Sequence, residues 1–243
     1  MKALSKSEYF WDKWNSDPVG QYLTEYEKRY IDLVFQENKN IKSVLDVGCG
    51  SGRFSIPIHN KGIKVIALEY DKIPLVKLKS KDQTIPMILG DGKKLPFKNR
   101  SFDCIICIQA LDYIDIKQEF FFKECNRTLK ETGLLLFTLR NKNSYKRFIT
   151  RLMTLNDRYS LPFTSLNDSL PVTGLNDLKR KLCNIGFTIE KIKGYNWVPL
   201  SRYDTSKFIN STKVVHYFAS FERLFKLEAL LSISPWFFVT ARK

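Results

Sequence analysis

The sequence predicts an α/β protein built on a doubly wound, seven-stranded, mostly parallel sheet, and three observations carry that expectation. The run Val44-Leu45-Asp46-Val47-Gly48-Cys49-Gly50-Ser51-Gly52-Arg53 reads as a buried strand, a tight glycine turn and the start of a helix. Beyond it, short apolar stretches of strand length alternate with stretches of helical period. Finally, no apolar run reaches the roughly 18 residues that a membrane span needs, and the polar start Met1-Lys2-Ala3-Leu4-Ser5-Lys6 does not read as a signal peptide. A single domain over 1–243, without a transmembrane segment and placed in the cytoplasm, accounts for all three.

Taken in order, residues 5–38 read as an N-terminal helical cap of about forty residues, with aromatic positions Tyr9, Phe10, Trp11, Trp14, Tyr22, Tyr26 and Tyr30. Strands follow at 43–48, 64–69, 86–90, 103–109 and 133–140, with helices near 53–61, 72–80 and 117–130. Pro57 falls in the opening turns of the first of these helices, where a missing N–H matters least. Gly174–Asn184 reads as a helix closed by Gly186, and Phe187–Tyr195 and Trp236–Arg242 read as the last two strands. Two insertions, about 140–173 and 196–235, interrupt this scheme as helical lids. In the first, Tyr145, Phe148, Ile149, Leu152 and Met153 form one apolar face opposite Lys146, Arg147 and Arg151. In the second, Val214, Val215, Phe218, Phe221, Leu224 and Phe225 form another stripe. Such stripes either pack on each other or line a site for a greasy or aromatic acceptor.

The glycine turn points to a bound cofactor. Glycine takes positive φ and lets a ligand lie against the main chain, and the helix N-terminus that follows favours a carboxylate. A dinucleotide fingerprint would need its third glycine at position 53, which is Arg; here it comes one residue early, at Gly52. Asp46 lies inside an apolar strand, a costly place unless it holds loop N–H groups or a ligand ammonium. Lys64-Val65-Ile66-Ala67-Leu68-Glu69 ends in an acid about twenty residues past the glycines, the spacing of a ribose clamp that serves NAD and other nucleosides alike.

Four segments together resemble one family. Asp46-x-Gly48-x-Gly50-x-Gly52, Glu69, the run Gly90-Asp91-Gly92-Lys93-Lys94-Leu95-Pro96-Phe97 with Ser101-Phe102-Asp103, and Lys130-Glu131-Thr132-Gly133 occur in the order and spacing of class I S-adenosylmethionine (SAM) dependent methyltransferases of the type 11 kind, over roughly residues 42 to 140. The resemblance implies a Rossmann-like methyltransferase fold whose last strand is antiparallel, and SAM as cofactor. It implies that Gly48, Cys49, Gly50 and Gly52 form the cofactor turn and that Asp46 orders the loop or the amino-acid moiety. Glu69 would bind the ribose, Tyr70 would pack on adenine, Asp91 and Gly92 would border it, and Gln109 would line the pocket below the sulfonium. No metal is implied. Asp112 and Tyr113 stand where many relatives place acceptor-facing residues, often histidine, so no catalytic residue is assigned. His216, in the second insertion, is a candidate base, whereas His59 reads as structural.

Charge bears on the acceptor. The chain carries a formal net charge of +15, and residues 139–243 hold 18 Lys+Arg against 7 Asp+Glu, while residues 1–138 hold 22 against 18. The excess, +11 against +4, sits with the insertions and would attract an anionic acceptor or surface. The expected reaction is methylation of a small-molecule, lipid or sugar-intermediate (glycan) acceptor at oxygen. The alternatives are RNA, tRNA above all, recognised by the basic half, and a SAM-binding partner subunit without turnover. Peripheral contact with an anionic membrane is compatible with the basic, amphipathic 143–155 segment. Cys104 and Cys107, three apart in a strand, face opposite sides and read as buried thiols rather than a zinc or redox pair.

Overall fold

A computed structural model describes residues 9–115, 118–154, 172–198 and 212–243. Seven strands, β1 (Ser43–Val47), β2 (Lys64–Glu69), β3 (Met87–Leu89), β4 (Phe102–Cys107), β5 (Leu129–Arg140), β6 (Thr188–Tyr195) and β7 (Trp236–Arg242), form one sheet in the order β3-β2-β1-β4-β5-β7-β6. Strands β1 to β5 pair in parallel and the last strand is antiparallel. The order reverses between β1 and β4, which makes the C-terminal ends of those two strands the switch point where doubly wound sheets bind ligands.

The chain divides into two compact units, and the divisions fall inside secondary-structure elements, β5, β6 and β7 among them, rather than in a linker. One unit comprises Lys28–Thr138, Asn176–Ile192 and Val239–Lys243. Its centre is the parallel ladder, in register from Ser43↔Lys64 to Val47↔Leu68 and from Val44↔Cys104 to Asp46↔Ile106. Consecutive residues Cys104, Ile105, Ile106 and Cys107, and Leu134 to Phe137, are all buried. A strand buried on both faces has helices on both, which is why these strands read as continuous apolar runs. Phe122 of α6 (Glu119–Thr128) packs between Phe121 and Phe137, with ring centroids 5.7 and 5.1 Å away. The free thiols Cys104, Cys107 and Cys125 lie in this core, where burial pushes them well above the usual thiol range.

Helix ends follow local chemistry. Asp71 caps α4 (Lys72–Lys81) by accepting from the Ile73 N–H at 3.0 Å. In α3 (Ser55–His59) Pro57 occupies the third position, within the first turn as expected. Gly186, at φ +93°, ends α8 (Leu175–Ile185), and the Phe187 N–H reaches back to the Leu182 carbonyl at 2.9 Å. The segment Leu95-Pro96-Phe97 is fastened to α6: Arg127 donates to the carbonyls of Leu95 and Phe97 at 2.9 and 2.7 Å, and Glu124 accepts from the Leu95 N–H at 2.8 Å. Asp103 accepts from the Ser43 N–H at 2.9 Å and from Lys130 at 2.7 Å, tying the starts of β1 and β5 to β4.

The other unit comprises Met1–Glu27, Leu139–Leu175 and Lys193–Phe238, as far as these are described. The N-terminal helical segment is two helices here, α1 (Phe10–Asn15) and α2 (Pro18–Glu37). Pro18 lacks the N–H that would continue α1, and the Asp17 carboxylate caps α2 by accepting from the Gly20 N–H at 2.7 Å. A Cβ on Gly20 would lie 2.1 Å from the Trp14 carbonyl oxygen, so only glycine permits this tight corner. Tyr26 stacks on Tyr195 at 5.3 Å, and the Tyr195 hydroxyl donates to buried Glu27 at 2.9 Å. Tyr145, which opens α7 (Tyr145–Thr154), stacks on Trp197 at 5.6 Å and donates to its carbonyl at 2.8 Å. Asn141 donates to the Ser234 carbonyl at 2.8 Å.

Three expectations shift. Strand β5 begins at Leu129, four residues earlier than 133, and the expected turn at Lys130–Gly133 is an irregularity within it, with Thr132 at φ +64° and a register shift opposite Phe102/Cys104. Strand β4 ends at Cys107, so Gln109 stands beyond it. The apolar stripes of the insertions are not simply buried. On α9 (Thr212–Leu224) Val215 is buried, but Phe221 and Leu224, and Phe225 just after the helix, are exposed, as are Phe148 and Ile149 of α7. Leu152 and Met153 lie outside the residues whose side chains are described.

Candidate cofactor site

The site lies within the first unit, at the C-terminal tips of β1, β2 and β4. After Val47 the chain turns sharply: Gly48, Gly50 and Gly52 all have positive φ, at +72°, +56° and +89°. The N–H groups of Gly48 and Cys49 both donate to the Leu68 carbonyl, at 2.8 and 3.2 Å, which pins the turn to the end of β2. One residue further on, the Gly50 N–H donates to Glu69 Oε2 at 2.8 Å. Glu69 Oε1 accepts from the Tyr70 N–H at 2.9 Å. The carboxylate is therefore fixed by main-chain donors on either side, the Asp71 N–H also reaching Oε1 at 3.5 Å, and is still reachable, with acceptor capacity left on Oε2.

The glycines serve the protein's own packing as well as a ligand. A Cβ on Gly48 would lie 2.3 Å from the Ala110 Cβ, at the point where the tips of β1 and β4 close on each other. One on Gly52 would meet Leu78 Cδ1 at 2.4 Å, and one on Gly92 would meet Ile114 Cγ2 at 2.7 Å. Ile114, the last residue of the short helix α5 (Leu111–Ile114), thus packs beside both Gly48 and Gly92. Gly48→Ala is expected to destabilise the protein by about 2 kcal/mol, from overpacking together with a left-handed φ that alanine resists. Urea unfolding checks this, and an unchanged midpoint would contradict the close approach.

Asp46 is a buried carboxyl and Gln109 a strained backbone position. Asp46 is buried in β1 and accepts from the Ser55 hydroxyl at 2.6 Å. Burial pushes its carboxyl up to about 7, with the Ser55 hydrogen bond offsetting part of the rise and the Glu69 charge adding to it. Gln109 sits at φ +59°, unusual for a residue with a side chain, and its N–H donates to Thr138 Oγ1 at 2.7 Å. The Cys49 thiol is buried and held far above its ordinary range by that burial and by the Asp46 charge, so it is inert packing.

The remaining expected residues are placed more loosely. Tyr70 is 77% exposed, its ring standing clear of the protein next to Glu69. Asp91 accepts from the Lys93 N–H at 2.9 Å, which shapes its own turn. Gly48 and Gly92 both pack against Ile114 and Gly50 is tied to Glu69, whereas Gly52 faces Leu78 of α4 and Asp46 bonds Ser55. Ser55 and Ile114 were not singled out from sequence. A serine nine residues after a buried strand acid was the available signal for the first; for the second there was none. His59 pairs with Thr84 at 3.0 Å and His216 is exposed on α9.

Residues 45–137 match the family model described as a methyltransferase domain. The chain is 34% identical over 138 residues to an uncharacterized protein of Methanocaldococcus jannaschii, covering 54% of this chain and 52% of that protein. It is 28% identical over 171 residues to the ubiquinone biosynthesis O-methyltransferase of Pelagibacter ubique, covering 62% of this chain and 67% of that one. The chain thus spans about half the length of the archaeal relative. Among solved structures, magnesium protoporphyrin IX methyltransferase of Synechocystis, crystallised with bound SAH, superposes with a TM-score of 0.62 at 14% identity, over 99% of this chain and 90% of that one.

Proposed function

The chain carries a class I SAM-dependent methyltransferase domain, with SAM as the cofactor of that family, and from that premise we propose that the protein methylates a small-molecule, lipid or sugar-intermediate acceptor at oxygen. The observation that carries the reading is the Glu69 carboxylate, held at the tip of β2 by the Gly50 N–H of the glycine turn. A fixed anion able to accept from a nucleoside's paired hydroxyls, beside a turn whose positive φ angles favour glycine, supports this reading. The residues present fit SAM: Glu69 for the ribose, Tyr70, Asp91 and Gly92 around the adenine, Asp46 for the turn or the ammonium of the amino-acid part, and Gln109 near the sulfonium.

When bound, SAM supplies a methyl group already activated on sulfur. The chain's own task is alignment and exclusion of water, and effective molarity supplies on the order of 7–11 kcal/mol of such a barrier. Gln109 is fixed for this by its Thr138 hydrogen bond and its left-handed backbone. An acceptor hydroxyl would need a base to take its proton.

Oxygen as the acceptor atom draws support from the Pelagibacter relative, named as an O-methyltransferase. The test is transfer of labelled methyl from SAM into small-molecule, lipid, glycan and tRNA fractions. Incorporation into a small-molecule, lipid or glycan fraction, labile or stable to base according to the oxygen methylated, supports the proposal. The second reading, an RNA acceptor, rests on the net charge of +11 over residues 139–243, and label in tRNA alone, lost steeply with salt, would favour it. SAM binding without transfer to any fraction would point to a non-catalytic subunit.

A further inference from the structure

The second unit presents an apolar surface that its core does not use. On α9, Val215 and Glu222 are buried, and Glu222 accepts from the Tyr22 hydroxyl. On another side of the same helix Tyr217, Phe221 and Leu224, with Phe225 just after it, are 70, 44, 76 and 57% exposed. At about 100° per residue these four fall on one arc of roughly 100°, distinct from the buried arc. The rings of Phe221 and Phe225 stand 4.3 Å apart, so the surface is a continuous aromatic ridge rather than scattered side chains. Phe148 and Ile149 of α7 are exposed too, at 63 and 43%. The start of α7 is tied to the segment after α9, because the Tyr145 N–H donates to the Ile233 carbonyl at 2.9 Å, and Ile233 is itself exposed.

Among the described residues of α7 and α9 the solvent-facing charges are cations, and Glu228, just beyond, is paired with Lys193. Lys213 and Arg223 lie on α9 and Lys226 follows it, while the helix's one acid, Glu222, is turned inward. Lys146 and Arg147 lie on α7, which has no acid. An exposed aromatic and leucine arc flanked by cations matches the two layers of an anionic bilayer surface: a hydrocarbon boundary and negative headgroups. A second copy of the chain fits less well, since a two-fold pairing through this ridge would bring the cationic flanks of the two copies, with Lys213, Arg223 and Lys226, against each other. We propose that the ridge of α9, with the exposed turn of α7, docks the protein onto an anionic membrane surface, with Tyr217, Phe221, Leu224 and Phe225 entering the interfacial layer. The proposal does not depend on which acceptor is methylated.

Flotation of the full chain with vesicles tests it, using phosphatidylcholine alone or with a quarter of phosphatidylglycerol. Expected is at least about tenfold more bound protein on the anionic vesicles, falling as salt is raised from about 0.05 to about 0.5 M. Phe221→Asp combined with Leu224→Asp should abolish flotation. Lys213→Glu combined with Lys226→Glu should lose the preference for anionic vesicles. Both variants should keep the affinity for S-adenosylhomocysteine, read by calorimetry, which shows that the fold survives and separates this proposal from the methyl-transfer reading. Equal flotation on neutral and anionic vesicles would overturn the proposal. So would absence of flotation at low salt, or a dimer of the parent chain in sedimentation that the Phe221→Asp, Leu224→Asp variant dissolves.

Discussion

Asp46→Asn is expected to gain stability over the parent chain as pH rises from 5 to 8, by about 3 kcal/mol in urea unfolding. The carboxyl ionises near 3.8 in an unfolded chain, but burial in β1 raises it to about 7 in the folded one. Between those values the folded state holds a proton that the unfolded state has released. Stability contributed by the neutral carboxyl is therefore present at low pH, declines as pH climbs through this window, and levels off above about 7. Two pH units of that window lie above pH 5, at about 1.4 kcal/mol each. Asparagine has nearly the same shape, keeps an oxygen to accept from the Ser55 hydroxyl, and does not titrate. The difference between the two chains should widen with pH; parallel curves would show that Asp46 is not desolvated as its burial implies. The same property has a functional side. A carboxyl poised near neutrality ionises when a cation arrives beside it, so an ammonium-bearing ligand should bind more tightly as pH rises through this range.

How much of this was legible depended on whether the deciding interactions were local. The strand, turn and helix around Gly48 could be read because apolar run, glycine spacing and strand acid are all contiguous. The same holds for the Gly186 helix end, where a single positive φ settles the boundary. Glu69 could be expected from its distance along the chain, but its bond to the Gly50 N–H depends on the β1–β2 register. Ile114 was invisible for the same reason: its packing on Gly48 and Gly92 joins segments dozens of residues apart. The glycines at 48, 52 and 92 looked like room left for a ligand, whereas much of that room is filled by Ala110, Leu78 and Ile114. Periodicity misjudged α9 in an instructive way. A hydrophobic stripe was found, but a helix with apolar residues on two arcs yields one pattern in sequence, and only burial separates the arc around Val215 from the one carrying Phe221 and Leu224. The break between α1 and α2 was written in Asp17-Pro18, yet aromatic residues continued across it and masked the stop.

Glu69→Ala should weaken binding of S-adenosylhomocysteine by about 3 kcal/mol, roughly a hundredfold. The estimate rests on two charge-assisted hydrogen bonds from the ribose hydroxyls, each contributing about 1.5–3 kcal/mol, tempered because the carboxylate is only half-buried. A second contribution comes from the protein itself. Without the carboxylate, the Gly50 and Tyr70 N–H groups lose their acceptor, and the turn that β2 holds in place is free to relax before any ligand arrives. Glu69→Gln separates the two. Its side-chain oxygen can still accept from the Gly50 N–H, so the turn stays anchored, but the negative charge is gone and only one acceptor remains for everything the carboxylate served. The glutamine variant should therefore fall between the parent and the alanine variant, with thermal stability closer to the parent. Calorimetry with S-adenosylhomocysteine decides: if alanine leaves the affinity untouched, the acid at the tip of β2 has no part in holding the nucleoside. If glutamine and alanine lose equally while both stay folded, charge rather than loop geometry is what the site requires of residue 69.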